Sequence, residues 1–356
     1  MNKKKNLKIN IIKGNKPTCT GVGLLALDIV LNGDKKKLSK TFAGGSCGNV
    51  LSILSFLGWN SYPIARFSNT LATDEIMSDL YKWKVKDDLI NIHETGSTPI
   101  IIHRILKDKE HNIKHRFEFK IPGTTKWFPG YKSVLKLQVP GIIDLRESSN
   151  VFYFDRVSRA AIDLAKHYKE SGSLVFFEPS SYKEDKQFVE AILLADIIKF
   201  SSDRMRNYSE KFPEKQAFIE IETLGSEGLI YRTKKSNKYD WTFLPAIKLS
   251  KIADSVGAGD WCSSGIIHFL GRNGSHSLKN STIDDIENAL EFGQLLGAMN
   301  CLFEGARGLM YNLDVPSINA YFSRLQKKDE NLIFYVEDRD FNSKKVSFSQ
   351  LMATKK

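Results

Sequence analysis

The chain has 356 residues, enough to bury one large core or two modest ones. Hydrophobic residues make up 42% of it and charged residues 26%, which excludes a disordered protein. The net charge is +11, but the lysines occur in short scattered runs without a long basic block interleaved with aromatics. We therefore favour a solvated lysine-rich surface and predict no nucleic-acid partner.

The lack of a recognisable targeting signal and the usage of cysteine both favour a cytoplasmic protein. No stretch approaches 18 consecutive apolar residues, so we predict no membrane span and no membrane partner. Residues 1–17 are basic without a sustained apolar run, which is typical of a basic tail and not of a signal peptide. The four cysteines are scattered and form no CxxC pair, which indicates reduced thiols and not a disulfide framework or a zinc site.

The first half of the chain predicts buried strands, helices and one half-exposed hairpin. Residues 21–30 are apolar enough for a buried strand, with Asp28 at its end. A helix is predicted over 49–58 and another over 74–83, with a strand at 61–66 between them. Residues 98–119 alternate apolar and charged side chains, the signature of a hairpin with one polar face.

The second half alternates short apolar runs with helical stretches. The predicted strands are 151–154, 174–177, 196–200 and 217–223, and residues 286–303 are again helical. Such alternation indicates crossover units and therefore a mostly parallel sheet in an α/β fold. Residues 316–356 begin as a helix and continue as polar, weakly patterned sequence.

The most informative motif is DSVGAGD at residues 254–260, which precedes a helical stretch. The small residues Gly257, Ala258 and Gly259 leave backbone N–H groups open to an anion at a helix N-terminus. This is an anion hole suited to the charge on a transferring phosphoryl group. Asp260 could take the proton of an attacking hydroxyl. The alternative is a tight turn in which Asp260 only caps the helix.

Two further glycine-rich turns and one carboxylate accompany this motif. The segment FAGGSCGN at residues 42–49 lets the backbone approach a ligand, and Asn49 offers both a donor and an acceptor. Asp28 could accept two hydroxyls of a polyol, although a solvated strand-end residue explains it equally well. The segment TLGSEG at residues 223–228 suits a strand–turn–strand unit that lines a nucleotide.

Together these motifs resemble the phosphofructokinase-B family, the ribokinase-like carbohydrate kinases. Its GGxxxN signature is matched by residues 44–49, and its D-T-x-G-A-G-D signature by residues 254–260. The family's opening G-x-x-x-x-D is matched from Gly23, its T-x-G-x-x-G turn at 223–228, and its late G-A-x-G by residues 305–308. The resemblance extends from about residue 21 to about residue 313.

The resemblance implies a role for each matching residue. Asp260 would be the general base, with Gly257, Ala258 and Gly259 as the anion hole. The acceptor would be held by Asp28, Gly44, Gly45 and Asn49, and Asp155 falls near a position that touches substrate. The nucleotide would be bound by Thr223, Gly225, Gly228 and Ser201, with Gln294 and Asn300 on the helix that closes over adenine. Mg²⁺ would enter with ATP, and Asp254 could serve a monovalent cation such as K⁺.

Three departures from the family pattern bear on these roles. The family's N-x-x-E, which helps to arrange Mg²⁺ and phosphates, has Ser201 and Arg204 at its Asn and Glu positions. The D-P-N turn is Glu178-Pro179-Ser180, and the usual Thr-Phe after the base is Trp261-Cys262. The departures therefore affect the residues expected to arrange the metal, whereas the base and the anion hole are retained.

The implied protein is an ATP-dependent carbohydrate kinase, a phosphotransferase with an alcohol group as acceptor. Its fold would be a ribokinase-like three-layer α/β/α sandwich with a mostly parallel central sheet and a small β-lid at 29–42 and 98–119. The kinase domain would span 18–315, between the basic tail at 1–17 and a C-terminal extension at 316–356. Exposed lid edges could pair in a homodimer. The alternatives are a nucleoside kinase of the same fold and a non-catalytic ligand-binding relative.

Overall fold

The structure is a computed structural model that describes residues 8–9, 12, 14–32, 40–107, 113–182, 185–236, 240–249, 251–326 and 347–355. Several predicted features lie outside the described residues. They are most of the basic tail, residues 33–39 and 108–112 of the two lid segments, and residues 327–346 of the C-terminal extension.

Nine strands of the described residues form a sheet that is the middle layer of the molecule. Its spatial order is β13 (Thr242–Pro245), β12 (Gly228–Thr233), β11 (Ile219–Thr223), β10 (Ile197–Ser201), β9 (Leu174–Phe177), β8 (Val151–Phe154), β1 (Thr18–Val22), β4 (Asn60–Phe67) and β5 (Ile90–Ile92). All neighbouring strands pair in parallel from β11 to β5, whereas β12 pairs antiparallel with both β11 and β13. The mostly parallel sheet predicted from the strand–helix rhythm is confirmed.

Helices cover both faces of this sheet because the side chains of each strand alternate between two cores. In β8, Phe152 and Phe154 enter one core while Tyr153 enters the other. The first core includes residues of α3 (Val139–Leu145), α4 (Arg159–Glu170), α5 (Lys186–Leu194) and α6 (Tyr208–Lys211). The second includes residues of α1 (Ser46–Phe56), α2 (Leu71–Lys82), α7 (Ala258–Leu270), α8 (Gly274–Asn280), α9 (Ile283–Asn300) and α10 (Gly308–Asn312). The predicted three-layer class is confirmed.

A separate four-stranded sheet lies outside the central one. Its order is β3 (Lys40–Gly44), β2 (Ala26–Asn32), β6 (Ile100–Lys107) and β7 (Ile113–Glu118). Strands β2 and β6 pair in parallel, and the two outer pairs are antiparallel. These strands lie largely within the two segments predicted to form the lid.

The single strand predicted over residues 21–30 is wrong, because the chain changes sheets within it. Strand β1 ends at Val22 and β2 begins at Ala26. Between them, the Leu24 N–H donates to the Asp155 carboxylate and the Leu24 carbonyl accepts from Gly48, so neither group is available to a strand partner. Asp28 therefore lies inside a strand of the small sheet and not at the end of a central strand.

The described part of the predicted C-terminal extension packs on the body of the protein. Helix α11 (Val315–Gln326) begins at the predicted boundary, and its Ile318 and Phe322 are completely buried in the second core. Leu351 of the short helix α12 (Phe348–Met352) is buried in the same core. Within the described ranges, no helix combines the length and apolarity needed to cross a membrane.

Candidate active site

The glycines of the predicted anion hole lie at the first turn of α7. Gly257 is the N-cap residue, with a left-handed φ of 80°, and a Cβ there would lie 2.1 Å from the carbonyl oxygen of Ala306. Only glycine fits such a position without strain. No described side chain caps the helix, so its first backbone N–H groups are not occupied by a capping group. The turn is thus chemically suited to hold an anion.

Asp260 lies in the first turn of α7, past the N-cap position. Its Oδ2 accepts a hydrogen bond of 2.7 Å from Nδ2 of Asn49 on α1, so the side chain is not acting as the helix cap. Burial, and then the nearby Glu178 carboxylate, raise the pKa of Asp260 to about 7, although Asn49 and Lys199 act in the opposite direction. A carboxylate with a pKa near neutrality is well matched to proton transfer at physiological pH.

On the predicted acceptor side, Asp28 faces the glycine turn that precedes α1. Asp28 pairs with Phe42 across the small sheet, and a Cβ on Gly44 would lie 1.9 Å from its Oδ2. Gly45 has a φ of 79°, and its N–H donates to Asp28. Burial raises the pKa of Asp28 to about 7, against the lowering effects of Arg307 and of this hydrogen bond. The structure therefore brings Asp28, Gly44 and Gly45 together.

Asp155 and Asn49 extend the same group of residues. Asp155 is almost completely buried at the end of β8, where its Oδ1 accepts from the Leu24 N–H at 2.8 Å and its Oδ2 lies 3.2 Å from Arg156 Nη1. A Cβ on Gly23 would lie only 1.7 Å from the same carboxylate. Asn49 is also buried, and its Oδ1 has no hydrogen-bond partner among the described residues. An unpaired buried acceptor is a candidate contact for a ligand hydroxyl.

On the predicted nucleotide side, Ser201 and Thr223 are neighbours. They pair at the carboxyl ends of the parallel strands β10 and β11, the edge at which open α/β sheets bind ligands. The turn that follows β11 contains Gly225 and Gly228, both with positive φ. A Cβ on Gly228 would lie 2.2 Å from the carbonyl oxygen of Leu244, so the turn requires glycine there.

Two further residues predicted to lie on the nucleotide side belong to α9. Gln294 lies half-buried on α9. Asn300 is completely buried, and its amide donates to the Val256 carbonyl and accepts from the Leu309 N–H at 3.0 Å. These bonds tie the 254–260 turn to α10. That the helix near Gln294 and Asn300 closes over adenine stays a prediction.

Asp254 is likewise buried and engaged by backbone groups. Its two carboxylate oxygens accept from the N–H groups of Val256 and Gly305, each at 2.8 Å. These bonds hold the start of the 254–260 turn against the loop that leads to α10. Its role toward a monovalent cation stays a prediction.

A buried charged cluster was not predicted from the sequence. It lies next to the predicted acceptor turn, which contains the glycines at 44 and 45. Arg307 donates to the Ala43 carbonyl and to Asp79 Oδ2, and Asp79 also accepts from the Ala43 N–H and the Tyr311 hydroxyl. These bonds fix β3 immediately before Gly44. The only signal was the presence of Arg307 in the late GARG motif, since Asp79 lies 228 residues away from it.

A second buried ion pair, between Lys199 and Glu178, was also not predicted from the sequence. Lys199 interrupts the apolar run of β10, and Glu178 directly follows β9. A charged side chain inside a buried strand needs a partner, and this rule could have suggested the pair.

Comparison with known structures identifies the fold. A fructokinase from Xylella fastidiosa with bound ATP aligns over 87% of this chain and all of its own, with a TM-score of 0.67 and 16% identity. A nucleoside kinase from Methanocaldococcus jannaschii, described as a member of the ribokinase family, covers 88% of this chain and all of its own, with a TM-score of 0.61 and 16% identity. The chain has the ribokinase-like fold.

An aminoimidazole riboside kinase from Salmonella enterica, in complex with aminoimidazole riboside and an ATP analogue, has the same ribokinase-like architecture. It aligns over 86% of this chain and 99% of its own, with a TM-score of 0.62 and 16% identity. No family model and no curated protein matches the chain. The resemblance inferred from the motifs is confirmed at the level of the fold.

Within the part of the chain that the structure describes, this cleft contains no ready-made set of metal ligands. The described residues contain no cluster of three or more acidic, His or Cys side chains suited to a metal ion. Each nearby carboxylate also has another partner: Asp260 has Asn49, Asp155 has Arg156, and Glu178 has Lys199. Mg²⁺ that enters with ATP, carried by the substrate phosphates, stays a prediction.

We expect Gly257→Ala to lower the free energy of unfolding by about 1–3 kcal/mol, because it forces a left-handed φ on alanine and drives Cβ into the Ala306 backbone. Gly259→Ala is the matched control. Its Cβ would meet only Lys199 Nζ at 3.7 Å, an ordinary contact, and alanine favours the helix by about 0.5–1 kcal/mol. Urea unfolding of both variants measures the difference, and equal stabilities would contradict the geometry of the turn.

Proposed function

We propose that this protein is an ATP-dependent kinase that transfers the γ-phosphoryl group to a hydroxyl of a sugar or sugar-like acceptor. The observation that carries the proposal is the position of Asp260. It lies in the first turn of α7, next to the glycines that can hold an anion, and Asn49 connects it to the helix that follows the acceptor turn. A base between an anion site and a hydroxyl-binding turn is the arrangement that phosphoryl transfer to an alcohol requires.

In the proposed reaction the acceptor oxygen forms a bond to the γ-phosphorus while its proton moves to Asp260. The bond between the γ-phosphorus and the bridging oxygen breaks, and ADP leaves with that oxygen. The backbone N–H groups at Gly257, Ala258 and Gly259 stabilise the negative charge on the transferring group. Asp28 and Asn49 orient the acceptor, with Asp155 and the glycines at 44 and 45 closing its site.

Bound Mg²⁺ would neutralise charge on the phosphates of ATP. Thr223, Ser201 and the turn from Gly225 to Gly228 would line the nucleotide, and the helix that carries Gln294 would close over adenine. Asp254 remains the proposed neighbour of a monovalent cation such as K⁺. The small sheet would act as the lid. A homodimer could form at the edges of this lid. The enzyme would be cytoplasmic.

A nucleoside kinase is the second candidate function. It is favoured by the similarity to structures described as a nucleoside kinase and an aminoimidazole riboside kinase. Each of them is 16% identical to this chain, the same identity as the fructokinase. A non-catalytic relative is the third candidate, since Ser201 and Arg204 replace the family's Asn and Glu.

The test is release of ADP from Mg²⁺-ATP with a panel of sugars, sugar acids and nucleosides, one acceptor at a time. Acceptor-dependent ADP release, with a phosphorylated product detected by mass spectrometry, is the expected result. Stimulation by nucleosides alone would select the second candidate. A folded protein that binds ATP but phosphorylates no member of the panel would overturn the kinase proposal.

We expect kcat to decrease as pH falls below about 7, by about tenfold per pH unit, because only ionised Asp260 can accept a proton and burial raises its pKa to about 7. The acceptor KM should increase over the same range, because the pKa of Asp28 is also raised to about 7. Steady-state kinetics between pH 5 and 9 separates the two effects. A kcat that is constant from pH 5 to 8, with chemistry rate-limiting, would contradict the role of Asp260.

A further inference from the structure

Lys199 and Glu178 form a buried ion pair beneath the proposed anion hole. Lys199 is 2% exposed and Glu178 is 9% exposed, and Nζ of the lysine lies 2.5 Å from Oε1 of the glutamate. The desolvation free energy of two buried charges can exceed the attraction between them. A buried ion pair is therefore expected to have additional hydrogen bonds or a functional role. Additional hydrogen bonds are present here.

The pair is connected to α7 on both sides of Asp260. Oε2 of Glu178 accepts from the hydroxyl of Ser263 at 2.5 Å and from that of Tyr153 at 3.1 Å. Ser263 also lies 3.1 Å from the carbonyl oxygen of Gly259. Nζ of Lys199 lies 3.7 Å from the position that a Cβ on Gly259 would occupy. The pair therefore lies against the N-terminal half of α7, where Glu178 is bonded to Ser263 and Lys199 is close to Gly259.

We propose that Lys199 and Glu178 are positioning residues for the proposed kinase reaction. Glu178 anchors the N-terminal half of α7 at Ser263, and Lys199 places a fixed positive charge behind Gly259 and near Asp260. The inference rests on the proposed function, because it assigns the pair to the base and anion hole of that reaction. A positive charge fixed in a buried site stabilises developing negative charge without reorganisation.

The charges around Asp260 determine what each residue of the pair contributes. Ionisable or hydrogen-bonding groups reach it from four elements: Asn49 and Cys47 on α1, Tyr153 on β8, Glu178 after β9, and Lys199 and Arg204 on and after β10. Burial and Glu178 raise the pKa of Asp260, whereas Asn49, Lys199 and Arg204 lower it.

Lys199 itself stays charged. Burial is the largest single effect and would lower the pKa of Lys199, but Glu178, Cys262 and Asp260 together outweigh it, and the pKa is raised overall. Loss of Lys199 alone would therefore leave a negative charge near Asp260 without its partner. Loss of both charges would cancel most of that change, while the positive charge behind Gly259 would still be missing.

The test compares Lys199→Met with the double variant Lys199→Met/Glu178→Gln. In Lys199→Met we expect the acidic limb of the kcat profile to move up by about one pH unit or more. In the double variant the limb should return close to the wild-type position, with kcat at its plateau still about tenfold or more below wild type. The double variant also serves if the single one folds poorly, because it leaves no unpaired buried charge.

Glu220→Gln is the matched control, since Glu220 forms a buried pair with Arg232 on the same sheet, with Nη2 and Oε2 2.6 Å apart. It should lower stability without moving the pH limb. A readout independent of turnover is the carboxyl-¹³C NMR titration of Asp260, assigned with Asp260→Asn. An Asp260 pKa that rises in Lys199→Met supports the proposal even if no acceptor is turned over. An Asp260 pKa unchanged in Lys199→Met, or changed equally by Glu220→Gln, overturns it.

Discussion

Replacing Asp260 by asparagine is expected to lower kcat by about 10²–10⁴-fold, the usual contribution of a positioned general base. The amide has nearly the shape of the carboxylate, and its oxygen can still accept the hydrogen bond from Asn49. The change therefore removes the proton acceptor and leaves the contact that positions it. Affinities for ATP and for the acceptor, measured by calorimetry, should stay within about threefold of wild type.

A helix-cap aspartate provides the matched control for this variant. Asp185 is the N-cap residue of α5, where its Oδ1 accepts from the Phe188 N–H at 2.7 Å. Asp185→Asn should leave kcat unchanged, because asparagine is nearly as good an N-cap as aspartate. If Asp260→Asn retains wild-type turnover under conditions where chemistry limits the rate, as Asp185→Asn should, then Asp260 has only a structural role and the mechanism is wrong.

Much of the fold could be predicted because local pattern and global architecture agree. The apolar runs around Val151, Leu174 and Ile197 are buried on both faces, so they appear in the sequence as short continuous hydrophobic segments separated by amphipathic helices. The glycine motifs were recognisable because their positions require a positive φ or a close backbone approach, as at Gly257 and Gly228. Both kinds of signal are local.

The features that were missed depend on contacts between distant segments. The break between β1 and β2 has no strong local signal, because Asp155, which binds the Leu24 N–H, lies 131 residues away. Asp28 was consequently placed on the wrong sheet. The amide of Asn300 gave no indication that backbone groups would occupy it. Composition and periodicity cannot report such pairings.

Replacing Asp28 by alanine is expected to weaken acceptor binding by tens to hundreds of fold. A hydrogen bond to a charged group contributes about 1.5–3 kcal/mol, and each 1.4 kcal/mol is about tenfold in affinity. ATP affinity, measured by calorimetry without acceptor, should barely change, because Asp28 lies in the small sheet whereas Ser201 and Thr223 lie in the central one. Asp163→Ala is the control: this carboxylate pairs with Arg159 on α4, and its loss should change neither affinity.

The stability of the same variant separates a binding role from a structural one. Burial raises the pKa of Asp28 from 3.8 to about 7, so the folded chain holds the ionised form less favourably than the unfolded chain does. Between pH 4 and 7 this group therefore reduces the free energy of unfolding as pH rises, and Asp28→Ala should remove that decrease.

Unchanged acceptor affinity in a stable variant would mean that Asp28 binds no substrate. Loss of ATP binding would mean that the small sheet faces the nucleotide, and the proposed division of the cleft would be reversed.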